Sequence, residues 1–257
     1  NSTSEKNIKV LSYNVRLFNK YNWLPEANIQ DKITNLLKTE NADILCIQEF
    51  YSKQKTPKLN YPYRNISLQH ESTQGHMAIY SKHIQIKKET VSIKERKMNN
   101  TCIYSDMIIR GDTIRVYNVH LASYWFTNSD YSFIHNPNKE EFKKGILGII
   151  KRMKKSYEKR AEEVDIIIQH MSNSPFPLIV CGDFNDTPLS YAYNTIKANL
   201  KDAFSISAKG IGASYVNIPA LRIDYILHDP IFNSTNYQVY DQVFSDHYAI
   251  SSEIIIP

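Results

Sequence analysis

The sequence predicts an α/β (α+β) protein in which two β-sheets pack together and helices cover them. Three observations carry the prediction. Strand-like apolar runs recur from about residue 8 to residue 256. Residues 8–49 read as strand, helix, strand, a length that suits a βαβ crossover within one sheet. Residues 139–171 form a long, charged amphipathic stretch that reads as a helix or helix pair. Many strands with a few long helices fit two packed sheets flanked by helices.

The elements follow in order. Residues 8–15 alternate, with Ile8, Val10, Ser12 and Asn14 on one face and Lys9, Leu11, Tyr13 and Val15 on the other, so a first strand ends at Asn14. Residues 21–25 form a loop. Ile29, Ile33, Leu36 and Leu37 recur at helical spacing and place a helix over 26–40. Residues 43–49 make a buried strand that ends in the carboxylate of Glu49. A short strand is expected at 77–81 and a lysine-rich edge segment at 84–93. Strands over 101–110 and 113–120 are joined by a tight turn at Gly111-Asp112, and the second ends at His120. Residues 122–138 are the longest irregular stretch, mixing Tyr124, Trp125, Phe126, Tyr131 and Phe133 with polar residues; long aromatic loops in compact domains are more often functional than idle. The basic patch Lys151-Arg152-Met153-Lys154-Lys155 on the long helix reads as a solvated face. A strand beginning at Leu178, a short helix over 189–198 and strands at 223–228, 237–244 and 248–256 complete the chain.

The chain of 257 residues has room for one large domain or two small ones. Without a repeat, a low-complexity segment or a linker, it reads as a tail, 1–6, and one domain, 7–257. Hydrophobic content of 42% and charged content of 22% are those of an ordinary soluble globular protein. A formal net charge of +5 permits a polyanionic partner without demanding one. With 18 tyrosines, many are expected to be partly exposed, where a ring near a cleft stacks on a base or sugar. Cys46, Cys102 and Cys181 are odd in number and widely spaced, so they read as reduced, mostly buried thiols rather than a zinc site or disulfide frame. No run approaches a membrane span, and no secretory signal is visible. The chain opens at Asn1 without a methionine, so the expectation is a trimmed N-terminus. An earlier signal peptide or membrane anchor therefore stays open, and the compartment is not fixed.

Chemistry gathers where apolar runs stop. Leu178-Ile179-Val180-Cys181 breaks at Gly182 and then presents Asp183, Asn185 and Asp186. Side chains two apart on a strand share a face, which puts Asp183 and Asn185 together. A carboxylate there can bind a metal or polarise a water, and an amide N–H can steady a phosphate oxygen. The plain alternative is a polar turn closing the strand. Asn14, Glu49 and His120 end other strands, Asp224 lies in Arg222-Ile223-Asp224-Tyr225, and Asp246-His247 follow Phe244-Ser245. A lone strand-end Glu is ordinarily solvated and a lone His ordinarily structural. Six such sites, each a metal ligand, acid, base or amide, outweigh those readings. Asp186 is left to the turn with Thr187 and Pro188.

Taken in order, Ser12-Tyr13-Asn14, Gln48-Glu49, Asn118-Val119-His120-Leu121, Gly182-Asp183-Phe184-Asn185, Arg222-Ile223-Asp224-Tyr225 and Ser245-Asp246-His247 resemble the motifs of the endonuclease/exonuclease/phosphatase superfamily, whose shared fold is that of pancreatic deoxyribonuclease. Each motif is short, but the resemblance covers nearly the whole chain. It implies a four-layer α/β/β/α sandwich of two mixed sheets with the site at one end, and phosphoester hydrolysis assisted by Mg²⁺ or Mn²⁺. By the same resemblance Glu49 is the principal metal ligand with Asn14 beside it, and Asp246 a further metal or water ligand. Asp183 orients or deprotonates the attacking water, and Asn185 holds a phosphoryl oxygen. His247 contacts the scissile phosphate with Asp224 as its buried partner, and His120 contacts phosphate or assists the leaving group. Tyr124, Trp125 and Arg222 are the expected substrate contacts.

The variable loops choose the substrate: 122–138, with 21–25, 69–76 and 211–221 around it. His120 followed by Leu121-Ala122-Ser123 resembles the tyrosyl-DNA phosphodiesterase and sphingomyelinase branches more than the apurinic-endonuclease branch. The approach to Arg222 lacks the tryptophan that many apurinic endonucleases carry there, which argues against base-excision repair. The leading expectation is a phosphodiesterase of nucleic acid. The same machinery acting on a lipid or small phosphoester is the alternative, and a non-catalytic binding module on the same fold a remote one. A monomer is the default.

Overall fold

In a computed structural model that describes residues 7–51, 58–67, 76–91, 102–124, 142–218 and 220–257, two six-stranded sheets face each other with helices on their outer sides. The first sheet runs β11 (Asn233–Val239), β12 (Ile250–Ile255), β1 (Asn7–Asn14), β2 (Ile44–Phe50), β4 (His76–Ser81), β3 (Tyr63–Ile66). The second runs β5 (Ile84–Thr90), β6 (Cys102–Ile109), β7 (Asp112–His120), β8 (Leu178–Asp183), β10 (Asp224–His228), β9 (Lys201–Asp202). Both sheets are mixed: β1 and β2 are parallel, as are β7 and β8, and the other neighbours are antiparallel. Helix α1 (Ile29–Glu40) supplies the β1–β2 crossover and α2 (Phe142–Ser172) the β7–β8 crossover. The shorter α3 (Tyr191–Lys197) and α4 (Ala203–Ser207) follow β8.

Period-two alternation divides the core into three apolar layers. Ile8, Val10, Ile44, Cys46, Ile114, Val116, Ile179, Cys181 and Ile226 meet between the sheets. Leu11, Tyr13, Leu45 and Ile47 face Ile29, Ile33 and Leu37 of α1. Tyr117, Val119, Val180, Tyr225 and Leu227 face Val164, Ile167 and Met171 of α2. The inward rows change character along their length. Ile8 and Val10 give way to Ser12 and Asn14, and Ile44 and Cys46 to Gln48. Ile114 and Val116 give way to Asn118 and His120, and Ile179 and Cys181 to Asp183. Parallel pairing within β1–β2 and β7–β8 brings these polar ends to the same edge, and antiparallel β10 adds Asp224 from its first residue, opposite Asp183. The sandwich is therefore apolar through most of its interior and polar at one mouth.

A buried belt marks the change. Gln48 Nε2 donates to Ser12 Oγ (3.1 Å) and to Asn118 Oδ1 (2.7 Å). Asn118 Nδ2 in turn donates to the carbonyls of Ile47 (2.9 Å) and Ala78 (3.0 Å) in the other sheet. The amide nitrogens of Gln48 and Asn118 are thereby satisfied out of water, as buried donors require.

Several boundaries differ from the sequence expectation. α1 begins at Ile29 rather than near residue 26. The β6–β7 turn is centred on Arg110 and Gly111, both with positive φ (58° and 97°), and Ile109 pairs with Asp112, so the tight turn lies one residue earlier than Gly111-Asp112. The strand expected at 237–244 lies at Asn233–Val239, because Ser234 and Tyr237 rather than the later aromatics are the buried positions. β3, β9 and α4 were not anticipated. Seven tyrosines, among them Tyr13, Tyr104 and Tyr225, are core residues rather than exposed stacking rings. The three cysteines are buried and free. No helix among the described residues is long and apolar enough to cross a membrane. The 1–6 tail and most of the 69–76 and 122–138 loops lie outside the described residues.

Candidate active site

The polar mouth collects Asn14, Glu49, His120, Asp183, Asn185, Asp224, Asp246 and His247, and the local backbone explains how each arrives. Alternation alone would turn Glu49 toward α1 with Leu45 and Ile47. Instead β2 carries a bulge between Ile47 and Phe50, and Glu49 adopts a left-handed φ of 50°. A bulge re-aims a side chain in this way, and the strained residue is held by its surroundings. Glu49 Oε1 then lies 3.3 Å from Asn14 Nδ2 and 3.8 Å from His120 Nε2.

Asp183 is 1% exposed and sits at the centre. Its Oδ2 accepts from Asn14 Nδ2 (3.0 Å) and Asn185 Nδ2 (3.1 Å), and its Oδ1 accepts from the Asn185 backbone N–H (2.8 Å). His120 Nε2 is 3.7 Å from Oδ2. Asn185 is not on the strand face with Asp183, as alternation suggested. β8 ends at Asp183, and Asn185, at φ 52°, closes an Asx turn over it. The strand thus ends in a polar turn, and the turn itself keeps Asp183 and Asn185 in contact.

Two sequence-derived roles change here. Both hydrogens of the Asn185 amide are committed, one to Asp183 and one to the Leu121 carbonyl (2.9 Å), so that amide positions Asp183 instead of reaching a phosphoryl oxygen. Asn14 likewise presents its NH₂ to Glu49 and Asp183, while its Oδ1 accepts the Arg16 N–H (3.1 Å). It clamps two carboxylates through its nitrogen and turns its oxygen to the Arg16 backbone.

His247 is buried between two carboxylates. Nδ1 is 2.9 Å from Asp224 Oδ2, and Nε2 is 3.6 Å from Asp183 Oδ2. Burial opposes its charge, but Asp224 and Asp183 together hold the imidazolium well above the usual histidine range. Burial pushes the Asp224 carboxyl up to about 6 against the pull of His247. At neutral pH the pair is therefore imidazolium and carboxylate.

Ser214 Oγ accepts the backbone N–H groups of Ile223 and Asp224 (both 3.0 Å), fixing the start of β10. Tyr215 bridges to His247 along the backbone, with the rings 5.2 Å apart. Ser245 Oγ donates to the Asn14 carbonyl (2.8 Å) and lies 3.2 Å from Asp246 Oδ1. The sequence reading assigned no role to Ser214, Tyr215 or Ser245.

Four further expectations are corrected or fall outside. Arg222 is 5% exposed, paired with Asp202 at 2.8 Å and packed on Phe204, so it braces the fold beneath β10 and does not line the mouth. The Tyr124 hydroxyl approaches Asp186 Oδ1 (3.3 Å) and Tyr157 (3.2 Å), which ties it to a neighbouring cluster. Trp125 lies outside the described residues. Asp186 is more than a turn residue: buried, it accepts from Arg160 Nε at 2.9 Å.

Among the described residues, Asp183, Asp224 and His247 bring ligand atoms within 4.8 Å of one another, a spacing that could hold a metal ion. Both His247 nitrogens, however, are turned to carboxylates, and a protonated ring has no lone pair to give. Glu49 and Asp246 fit a hard cation better. Burial pushes the Glu49 carboxyl up, His120 opposes the shift and the negative charge of Asp246 adds to it. A divalent cation near Glu49 would relieve its carboxylate, and oxygen donors suit Mg²⁺ or Mn²⁺.

The family model described as Endonuclease/Exonuclease/phosphatase family matches residues 11–247. No curated protein matches the sequence. Among solved structures, the chain is similar to a mannosyl-6-phosphatase of Bacteroides thetaiotaomicron, at 18% identity and TM-score 0.69, with 97% of this chain and 100% of that one covered. It is also similar to D. rerio TDP2 humanized by 14 mutations, at 14% identity and TM-score 0.69, covering 97% and 99%. The human Nocturnin catalytic domain with a bound sulfate anion aligns at 17% identity and TM-score 0.66, covering 97% and 94%. At these identities the likeness is one of fold.

Proposed function

This chain belongs to the endonuclease/exonuclease/phosphatase family, whose members are phosphoester-hydrolysing enzymes, and from that premise we propose that it is a divalent-metal-dependent phosphodiesterase acting on nucleic acid. The observation that carries the reading is the buried His247 ring held between Asp224 and Asp183 at the mouth of the sandwich, where the two carboxylates favour its charged form. A phosphodiester anion repels a nucleophile, so it needs fixed positive charge beside a group that prepares water.

Each side chain then has one task. Asp183, clamped by Asn14 and Asn185, aligns the attacking water and takes its proton. His247 donates from Nε2 to a phosphoryl oxygen, and Asp224 keeps the ring charged and oriented. His120, part-exposed on the other side of Asp183, faces the phosphate or its leaving group. Glu49 and Asp246 would hold Mg²⁺ or Mn²⁺, which when bound neutralises charge on the phosphoryl oxygens.

The net charge of +5 favours a polyanionic substrate. The similar structures include a mannosyl-6-phosphatase, so a small phosphoester is the second reading. One panel separates them: a chromogenic bis-phosphodiester, abasic DNA, 5′-tyrosyl DNA, single-stranded DNA, sphingomyelin, a phosphoinositide and a phosphorylated sugar, each with Mg²⁺, Mn²⁺ or EDTA. Hydrolysis of the bis-phosphodiester and of a DNA substrate is expected with metal and lost with EDTA. Activity that survives full chelation overturns the metal requirement, and turnover confined to the lipid or sugar substrates overturns the nucleic-acid reading.

A further inference from the structure

Directly after Asn14, the chain does something costly. Arg16–Asn19 form one short turn in which all four residues have left-handed φ, between 42° and 58°, and none is glycine. Non-glycine residues visit this region singly, and a run of them persists only where surrounding contacts over-determine it. The contacts are present. Asn19 brackets the loop, donating from Nδ2 to the Leu24 carbonyl (2.9 Å) and accepting the Leu24 N–H at Oδ1 (2.9 Å). Leu17 and Phe18 are buried beneath.

The turn holds two aromatic rings in solvent. Tyr21 is 48% exposed and Trp23 39%, and their rings meet edge to face at 5.1 Å. Exposed aromatic pairs on a clamped loop are not explained by core packing. They are also flanked by cations. The Arg16 guanidinium lies 4.5 Å from the centre of the Trp23 ring, and Lys20 Nζ lies 4.0 Å from that of Tyr51 and 5.0 Å from that of Tyr21. The same Arg16 reaches the site, with Nε 3.3 Å from Asp246 Oδ2. Tyr51 is two residues beyond Glu49. The platform thus adjoins the two residues assigned above to the cation.

We propose that Tyr21 and Trp23, backed by Arg16 and Lys20, form a stacking subsite for an unpaired nucleobase next to the scissile phosphate. The inference rests on the phosphodiesterase reading and narrows it to single-stranded nucleic acid or an unpaired strand end. Flat rings with a π-face suit any base, and adjacent cations suit the phosphates on either side of it. A base inside a duplex has both faces covered by its stacked neighbours and cannot use the platform.

The test is binding, measured in EDTA so that no strand is cut. A short fluorescent single-stranded oligodeoxynucleotide and an abasic strand of equal length are titrated by anisotropy into the protein and into Trp23→Ala, Tyr21→Ala and Trp23→Phe. The intact strand is expected to bind at least roughly tenfold tighter than the abasic one. Trp23→Ala is expected to erase most of that ratio, Tyr21→Ala to reduce it, and Trp23→Phe, which keeps a ring, to preserve much of it. Equal binding of the two strands by the unaltered protein overturns the proposal, as does a ratio that Trp23→Ala leaves unchanged. Since nothing is turned over, failure here is distinct from failure of the phosphodiesterase reading, which shows as inactivity on the bis-phosphodiester.

Discussion

Asp183 owes its place to the glycine before it. Gly182 has φ +145°, and a Cβ there would lie 1.9 Å from the Val119 carbonyl oxygen, so β7 and β8 meet at a distance that no other residue permits. That approach sets His120 opposite Asp183 in the ladder. Asp183→Asn keeps the shape and removes the base, and His247→Gln keeps a partner for Asp224 and removes the charge. Each is expected to lower turnover of a bis-phosphodiester by about 10²–10³ or more, with a melting temperature close to that of the parent. Near-parental rates in both would remove these residues from the chemistry. As candidates, Asn14, Glu49, His120 and Asp183 were legible in the sequence because an apolar run that stops at a polar residue marks a strand leaving the core, and Asp224 and His247 because they stand in short motifs beside such runs. What each side chain touches was not legible. The amide hydrogens of Asn14 and Asn185 are used up by partners 169 and 64 residues away. Ser214 works through backbone N–H groups nine and ten residues on, and nothing in its own neighbourhood announces that. Arg222 belongs to a motif yet is spent on Asp202.

Among the elements, α2 is tied to the site through Arg160 and Glu163. Arg160 donates from Nε to Asp186 (2.9 Å) and from Nη1 to the Ala122 carbonyl (2.7 Å), with its guanidinium 4.3 Å from the centre of the Tyr124 ring. Three residues along, Glu163 Oε2 accepts the Ala122 N–H at 2.8 Å. The helix thereby grips the chain just after His120 and the turn just after Asn185. Burial pushes the Asp186 carboxyl up even with Arg160 beside it. Arg160→Met leaves that carboxylate buried without its cation and is expected to cost about 3–5 kcal/mol in urea unfolding. The double variant Arg160→Met/Asp186→Leu is expected to recover most of the loss, and additive losses would show that the pair is not coupled. Strongly periodic elements such as β1, β2, β8 and α2 were readable as such. β3 has four residues and β9 two, too few to show a period. β11 is a polar edge strand whose buried Ser234 and Tyr237 flank an irregular register, so alternation pointed past it.

Across the molecule, four histidines of the described residues outside the mouth, His76, His83, His170 and His228, are each held below the usual value, chiefly by burial. The unfolded chain binds their protons near pH 6.5 and the folded chain does not, so the stability they share is intact above that pH and lost as the pH falls below it. His247 has the opposite sign, its contribution being full below pH 6.5 and lost as the pH rises through its higher folded value. One buried histidine can be isolated. His228 is 0% exposed and its Nδ1 lies 3.0 Å from the Asp229 carbonyl. In His228→Gln the fall of unfolding free energy between pH 6.5 and 5 is expected to be shallower by up to about one proton, ~1.4 kcal/mol per pH unit. An unchanged slope would mean that His228 titrates normally in the fold. The inter-sheet mouth carries a different consequence, one of timing. Asn14 ends β1, yet its carbonyl is fixed by Ser245, 231 positions later, and β1 pairs with β12. Contacts so distant in sequence form late and slowly. A folding chain therefore holds Asn14, Glu49 and His120 without a complete centre until β12 closes against β1.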